Sequence, residues 1–194
     1  MRSIKYICVC IYNVYELAKK TIFDIKMERF FRAHGVDVYR TFRISSTTKI
    51  HAESKLVIGK GLTTNNNCVI NSNDSFGIYI GENLLLAPDV FIRAGNHDYS
   101  YFEDAFQEHG HCAKKIEYNG EIYSIVIEDN VWIGRGATII SGAHIGRGSV
   151  IGAGAVVKEP IPEYSIVIGN PAKIVSNRKI IKSFCDREDI GVFD

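Results

Sequence analysis

Among the residues able to do chemistry near neutral pH, His97 stands out by its position. It ends Gly95-Asn96-His97, where a regular six-residue pattern breaks off. A neutral imidazole can take the proton from a hydroxyl as that hydroxyl attacks an activated carbonyl. A polar corner with no chemistry would use the same residue, and spacing alone leaves both readings open. A histidine base needs its second ring nitrogen held. Glu121, in Asn119-Gly120-Glu121, and Asp98 are the nearby carboxylates, and a backbone carbonyl would also serve. The other histidines are weaker candidates. His109-Gly110-His111 has no third ligand at metal-site spacing, so no metal is expected. His144 should face outward from its strand, and His34 and His51 have no supporting context.

The elements that must position His97 are written in the repeat. Units of six open at Ile127, Ile133, Ile139, Ile145, Ile151 and Val157. Their fifth positions, Val131, Ala137, Ala143, Ser149, Ala155 and Ile161, are mostly small, and Gly fills many second and fourth places. Strands alternate at period two and amphipathic helices at 3.6, so a period of six points to a parallel β-helix with stacked inward side chains. Ile44, Ile50, Leu56, Leu62 and Cys68 keep the beat; it stumbles at Asp74 and returns at Ile80, Leu86 and Ile92. It stops again after Ile92 and resumes near Glu121 or Ile127. Residues 98–120 are therefore expected to form a loop extruded between coils, of a length that is usually functional.

Four stretches carry a resemblance to a known family. They are Ile80-Gly-Glu-Asn-Leu-Leu-Leu-Ala-Pro-Asp-Val90, Gly95-Asn-His97, Asn119-Gly-Glu-Ile-Tyr-Ser124 with Asp129-Asn-Val-Trp-Ile-Gly134, and Gly169-Asn-Pro-Ala-Lys173. Residues 45–175 resemble the hexapeptide-repeat O-acetyltransferases of the galactoside, maltose and nodulation type and their polysaccharide-cluster relatives. The resemblance implies a mainly β fold, a left-handed parallel β-helix with three hexapeptides per coil. An N-terminal helical segment (1–43) would precede the β-helix (44–172), and a tail (173–194) with a short helix over Lys173 to Lys182 would follow.

It also implies acetyl-CoA as co-substrate, a homotrimer with its site between subunits, a sugar or oligosaccharide acceptor, and direct transfer with His97 as base. Trp132 would lie beside the pantetheine arm, and Ala153 one coil later would meet it through backbone. An amide near Arg135 would hold the oxyanion, although Arg departs from the small hydroxyl residue common there. Lys158, one residue earlier than its family counterpart, and Lys173, with Arg178 or Lys179 behind it, would meet the phosphates. Asn65, Asn67 and Asn96 would contact the acceptor; for Asn65 and Asn67 a coil-corner role is the equal alternative. N-acetylation of an amino sugar, antibiotic acetylation and a non-catalytic scaffold are the competing functions.

Composition narrows the classes further. With 194 residues and a net charge of +1, one domain is expected and nothing calls for nucleic acid. Cys8, Cys10, Cys68, Cys112 and Cys185 form no C-x-x-C pair, which fits reduced thiols in a cytoplasmic protein. The apolar run Ile4 to Tyr15 is too short to cross a bilayer and lacks a cleavage signal. Through Arg32 the pattern is helical, with Leu17, Ile22, Ile25, Phe30 and Phe31 on one face and Lys19, Lys20, Lys26 and Arg29 on another. That helix is expected either to pack on the β-helix or a neighbouring subunit, or to touch the inner face of the membrane peripherally.

Overall fold

The computed structural model describes residues 2–97, 111–112 and 114–179. Asp98, Tyr99, Tyr101, Phe102, His109 and Cys185 lie outside the described residues, as does the tail from 180 onward. The chain divides into two units, Met1–Arg40 and Thr41–Asp194.

The first unit is the helix α1, Arg2–Ala33. It ends as the sequence requires. Gly35 adopts φ +70°, Val36 N–H donates to Phe31 O at 2.9 Å and Gly35 N–H to Arg32 O at 3.2 Å, the paired bonds of a Schellman cap. Every residue from Tyr12 to Ile22 is exposed. No helix among the described residues is long and apolar enough to cross a membrane.

The second unit is a parallel β-helix with three faces. Face A stacks Arg43–Ile44, Thr63–Thr64, Leu85–Leu86, Trp132–Ile133, Val150–Ile151 and Ser165–Ile168. Face B stacks Lys49–Ala52, Val69–Ser72, Phe91–Ala94, Thr138–Ile140 and Val156–Val157, and face C stacks Leu56–Ile58, Ile78–Ile80, Ile125–Ile127 and His144–Ile145. Ile127 pairs with Ile145, Ile133 with Ile151 and Ile139 with Val157, so one coil is three hexapeptides. Ile127, Ile133, Ile139, Ile145 and Ile151 are each 0% exposed, and each such side chain contributes about 1.5–3 kcal/mol of burial. The close stacking explains the second-position glycines: a Cβ on Gly134 would lie 2.7 Å from Ala153 N.

Three local features differ from the expectation. Lys173–Asn177 is a strand and not the start of a helix. It runs antiparallel on Ser165–Ile168, covering what would otherwise be the open edge of face A, and its β-branched Ile174-Val175 suits that use. Asp74, where the beat stumbles, is buried, and its Oδ1 accepts the amides of Phe76 at 3.0 Å and Gly77 at 2.8 Å. The carboxylate thereby shapes the longer turn from face B to face C. Finally, the end of the expected loop is ordered as a hairpin, Ile116–Tyr118 with Glu121–Tyr123, before the coil resumes at Ile125. Its rings lie on face C: Tyr118 and Tyr123 are 4.9 and 5.5 Å from Tyr79, and Tyr118 is 5.5 Å from His144.

Candidate functional site

The backbone of His97 is fixed at the neck of the loop. Face B runs through Phe91–Ala94 to Gly95 at φ +89°, and then Asn96–His97 pairs antiparallel with His111–Cys112. His97 faces His111 in that ladder and Asn96 faces Cys112. The corner from face B to face C beneath this neck is polar and closed. Gly95 N–H donates to Ser141 Oγ at 2.9 Å. A Cβ on Gly95 would lie 3.0 Å from Asp74 Cβ and 3.1 Å from Asn73 Oδ1, so the neck rests directly on those two residues. Ser124 completes the wall: its N–H donates to Gly77 O at 2.9 Å and its carbonyl accepts Gly142 N–H at 2.8 Å.

Three buried atoms of this corner have no hydrogen-bond partner among the described residues: Asn73 Oδ1, Asp74 Oδ2 and Ser124 Oγ. Buried polar groups are normally paired, and an unpaired one costs about 1–3 kcal/mol. A cluster of them beside a candidate base marks a place where a hydroxyl-bearing ligand would gain bonds. Sequence reasoning missed Asn73, Asp74, Ser124 and Ser141. The signal available was Asp74, a charged residue standing at an inward position of the repeat.

Glu121 is engaged elsewhere. Its carboxylate pairs with Lys55 and accepts the Tyr123 hydroxyl at 2.7 Å, and Lys55 in turn lies 4.2 Å over the Tyr123 ring. Lys55 first, then Tyr123, hold the Glu121 carboxyl below its usual range. These contacts anchor the hairpin to face C. His144 does face outward, where it pairs with Glu128 at 2.8 Å. Both line a cleft of ≈ 390 Å³ with Arg147 and Pro162, on the far side of face C from the neck. No group of three His, Cys, Asp or Glu among the described residues is placed to hold a metal. Cys68 is a free, buried thiol.

The expected cofactor and acceptor residues gather mainly at the other edge of face B, the corner from face A. Asn67, Asp89 and Arg135 stack there in successive coils. Asn67 Nδ2 donates to Asp89 Oδ1 at 3.2 Å, and Arg135 Nε to Asp89 Oδ2 at 3.0 Å. Asn67 and then Arg135 hold the Asp89 carboxyl below its usual range. Asn65 is exposed at the same corner, and its amide donates to Leu86 O of the next coil at 2.9 Å. The N–H groups of Arg135 and Ala153 donate to nothing among the described residues, although Arg135 O accepts Gly154 N–H at 2.8 Å. Trp132 projects outward from face A in register with Leu85 and Val150 and is 49% exposed, so it is not a core residue. Lys173 is exposed on the last strand. Lys158 lies apart from these, on the face B–C corner. The two edges are separated by a four-residue strand, about 13 Å at 3.3 Å per residue.

Residues 124–159 match the bacterial transferase hexapeptide family of six repeats. Over those residues the chain carries that family's repeat. As in that family, its fold is a left-handed parallel β-helix. Over 124 residues it is 34% identical to the galactoside O-acetyltransferase of Escherichia coli, covering 63% of this chain and 54% of that protein. A putative lipopolysaccharide biosynthesis O-acetyl transferase of Escherichia coli is 35% identical over 98 residues, 50% of this chain and 49% of its own length. A hexapeptide-repeat acetyltransferase of Vibrio cholerae, solved in complex with acetyl coenzyme A, is 29% identical with a TM-score of 0.54. It aligns over 70% of this chain and 69% of that one. The hexapeptide-repeat chain described here thus spans about half the length of the curated relatives it matches.

Proposed function

We propose that the protein is an acetyl-CoA-dependent O-acetyltransferase that acts on a sugar hydroxyl during synthesis of a surface polysaccharide at the cytoplasmic side of the membrane. The observation that carries the reading is the neck of the loop: a histidine backbone held beside a buried corner with unpaired polar atoms. In the reaction, His97 takes the acceptor's hydroxyl proton while the oxygen attacks the thioester carbonyl carbon. The carbon–sulfur bond then breaks, and the proton passes from the imidazolium to the leaving thiolate. No acyl-enzyme forms. Arg135 N–H is the donor for the oxyanion. Ala153 N–H and the exposed Trp132 ring receive the cofactor's arm, and Lys173 its phosphates. Asn73, Asp74 and Ser124 receive acceptor hydroxyls, with Asn96 at the rim.

These assignments put the base on one edge of face B and the cofactor groups on the other. Reacting atoms must approach to about 3–3.5 Å, so a site using both edges is assembled from two chains. The oligomer is a homotrimer in this reading. Two measurements test it. Purified protein with acetyl-CoA is screened against sugars, amino sugars and oligosaccharides while thiol release is followed. Then His97→Ala chains are mixed, by unfolding and refolding together, with chains carrying Trp132→Ala and Ala153→Glu. Mixed oligomers should regain turnover that neither parent has; no recovery would place base and cofactor site in one chain.

A further inference from the structure

The sequence of the helix α1 carries a long apolar stripe, and its part from Val14 to Ile25 is uncovered. Written in heptads from Ile4, its a positions are Ile4, Ile11, Ala18 and Ile25, and its d positions are Ile7, Val14 and Thr21. Val14 and Ile25 are exposed, as are the flanking Leu17 and Ile22. Thr21 gives its hydroxyl hydrogen to Leu17 O at 3.0 Å, so that position carries no unpaired donor. The stripe stops for a visible reason. Glu28, the next d position, accepts the Tyr39 hydroxyl at 2.7 Å and pairs with Arg32 at 2.7 Å.

We infer that α1 is a parallel three-stranded coiled coil between copies of this chain, with its seam running from Ile4 to Ile25. Three observations choose this occupant. Isoleucine at a with Ile or Val at d favours three strands over two. Charges flanking the seam are complementary in the parallel arrangement: Asp24, a g position, meets Arg29, the e position of the following heptad, on the neighbouring helix. Elsewhere in the described part, Tyr12 and Phe23 fall outside the stripe, and Glu16 sits opposite it. The rings of Tyr12 and Phe23 interrupt the polar side, unlike the strongly charged polar face of a helix that lies on lipid. The seam of 22 residues is about 33 Å long, enough to hold three helices that are marginal alone. The inference rests on the trimer proposed above and adds a second, independent contact to it.

The test uses the full chain with Cys8, Cys10, Cys112 and Cys185 changed to Ser. Single cysteines are then placed at the seam (Val14→Cys, Ile25→Cys) or opposite it (Glu16→Cys). Under mild oxidation both seam variants should give a band of twice the chain mass, capturing roughly two chains in three of a trimer, and Glu16→Cys should give almost none. Crosslinking at Val14 without Ile25 would mean antiparallel helices and overturn the parallel coil. Equal crosslinking at all three positions, or at none in a protein that sediments as a trimer, would overturn the coiled coil alone. A protein that sediments as a monomer would remove the trimer reading as well. Pelleting of the unsubstituted protein with phosphatidylglycerol vesicles, abolished by Val14→Glu, would assign the stripe to a lipid surface and end this inference.

Discussion

The corner between faces A and B and the corner between faces B and C are products of one repeat, yet they are equipped for different work. At the first, exposed Asn67 and Arg135 pair with half-buried Asp89, and the N–H groups of Arg135 and Ala153 at the coil edge have no acceptor among the described residues. At the second, Asp74 and Ser124 are buried and Asn73 half-buried, and each holds an atom with no partner among the described residues beside the neck of the loop. A repeat places identical backbone at each step and leaves side chains free to vary. Outward amides at an exposed turn suit an extended amide-bearing arm. A dry polar corner suits discrimination among hydroxyl groups, because the wrong acceptor leaves its groups unpaired. In the proposed function neither edge is a complete site, and the difference sets what substitutions on each should do.

The largest effect is expected at the dry corner. His97→Ala should lower turnover by about 10²–10⁴, the usual worth of a positioned base, with acetyl-CoA binding nearly unchanged. His109→Ala and His111→Ala should be far milder. Near-normal turnover of His97→Ala with its native acceptor would break the division of labour at its root.

Next in size is the exposed edge. Trp132→Ala should raise the Michaelis constant for acetyl-CoA roughly tenfold, the loss of about 1.4 kcal/mol of contact, and leave that for the acceptor within a factor of about two. Steady-state kinetics with each substrate varied in turn will tell. An effect on the acceptor alone would move Trp132 to the other half of the site.

Much of this architecture was legible because a period of six admits few folds. Ile127, Ile133 and Ile139 are stacked as their spacing demands, and Trp132 faces outward as a sixth position should. The hairpin was hidden because its strands are only three residues each, and their alternation describes a cover laid on face C and not a coil. The last strand was hidden by its charge. Lys173 and the basic residues after it suggested a helix, but an uncovered edge at Ser165–Ile168 decided the outcome. The dry corner could not be read as a cluster, since Asn73, Ser124 and Ser141 come from different coils. Only Asp74 was visible, as a break in the beat.

A smaller effect sharpens the dry corner without touching the base. Ser124→Ala deletes a buried hydroxyl that has no partner among the described residues, so the free protein should keep its thermal midpoint or gain slightly. Acceptor affinity should fall several-fold, about 1 kcal/mol, because the hydrogen bond exists only when acceptor is bound. A loss of stability with no change in acceptor constant would make Ser124 a structural residue paired in some other way.

The smallest effect lies outside both corners, on the hairpin that covers face C. Lys55 and Tyr123 depress the Glu121 carboxyl, so the folded protein binds that proton less readily than the unfolded chain. Stability from this contact is therefore fully present above the ordinary carboxylate pKa and is lost as pH falls through the lowered folded value. At neutral pH Glu121→Gln should leave turnover unchanged and shift the thermal midpoint by little, since the pair is open to water and exposed ion pairs are weak. Its acid sensitivity should be reduced relative to the parent, because the group that titrates is gone. Unchanged turnover would agree with Glu121 as an anchor on face C. A loss approaching that of His97→Ala, with the thermal midpoint unmoved, would return Glu121 to the base and require the hairpin of one chain to reach the dry corner of another.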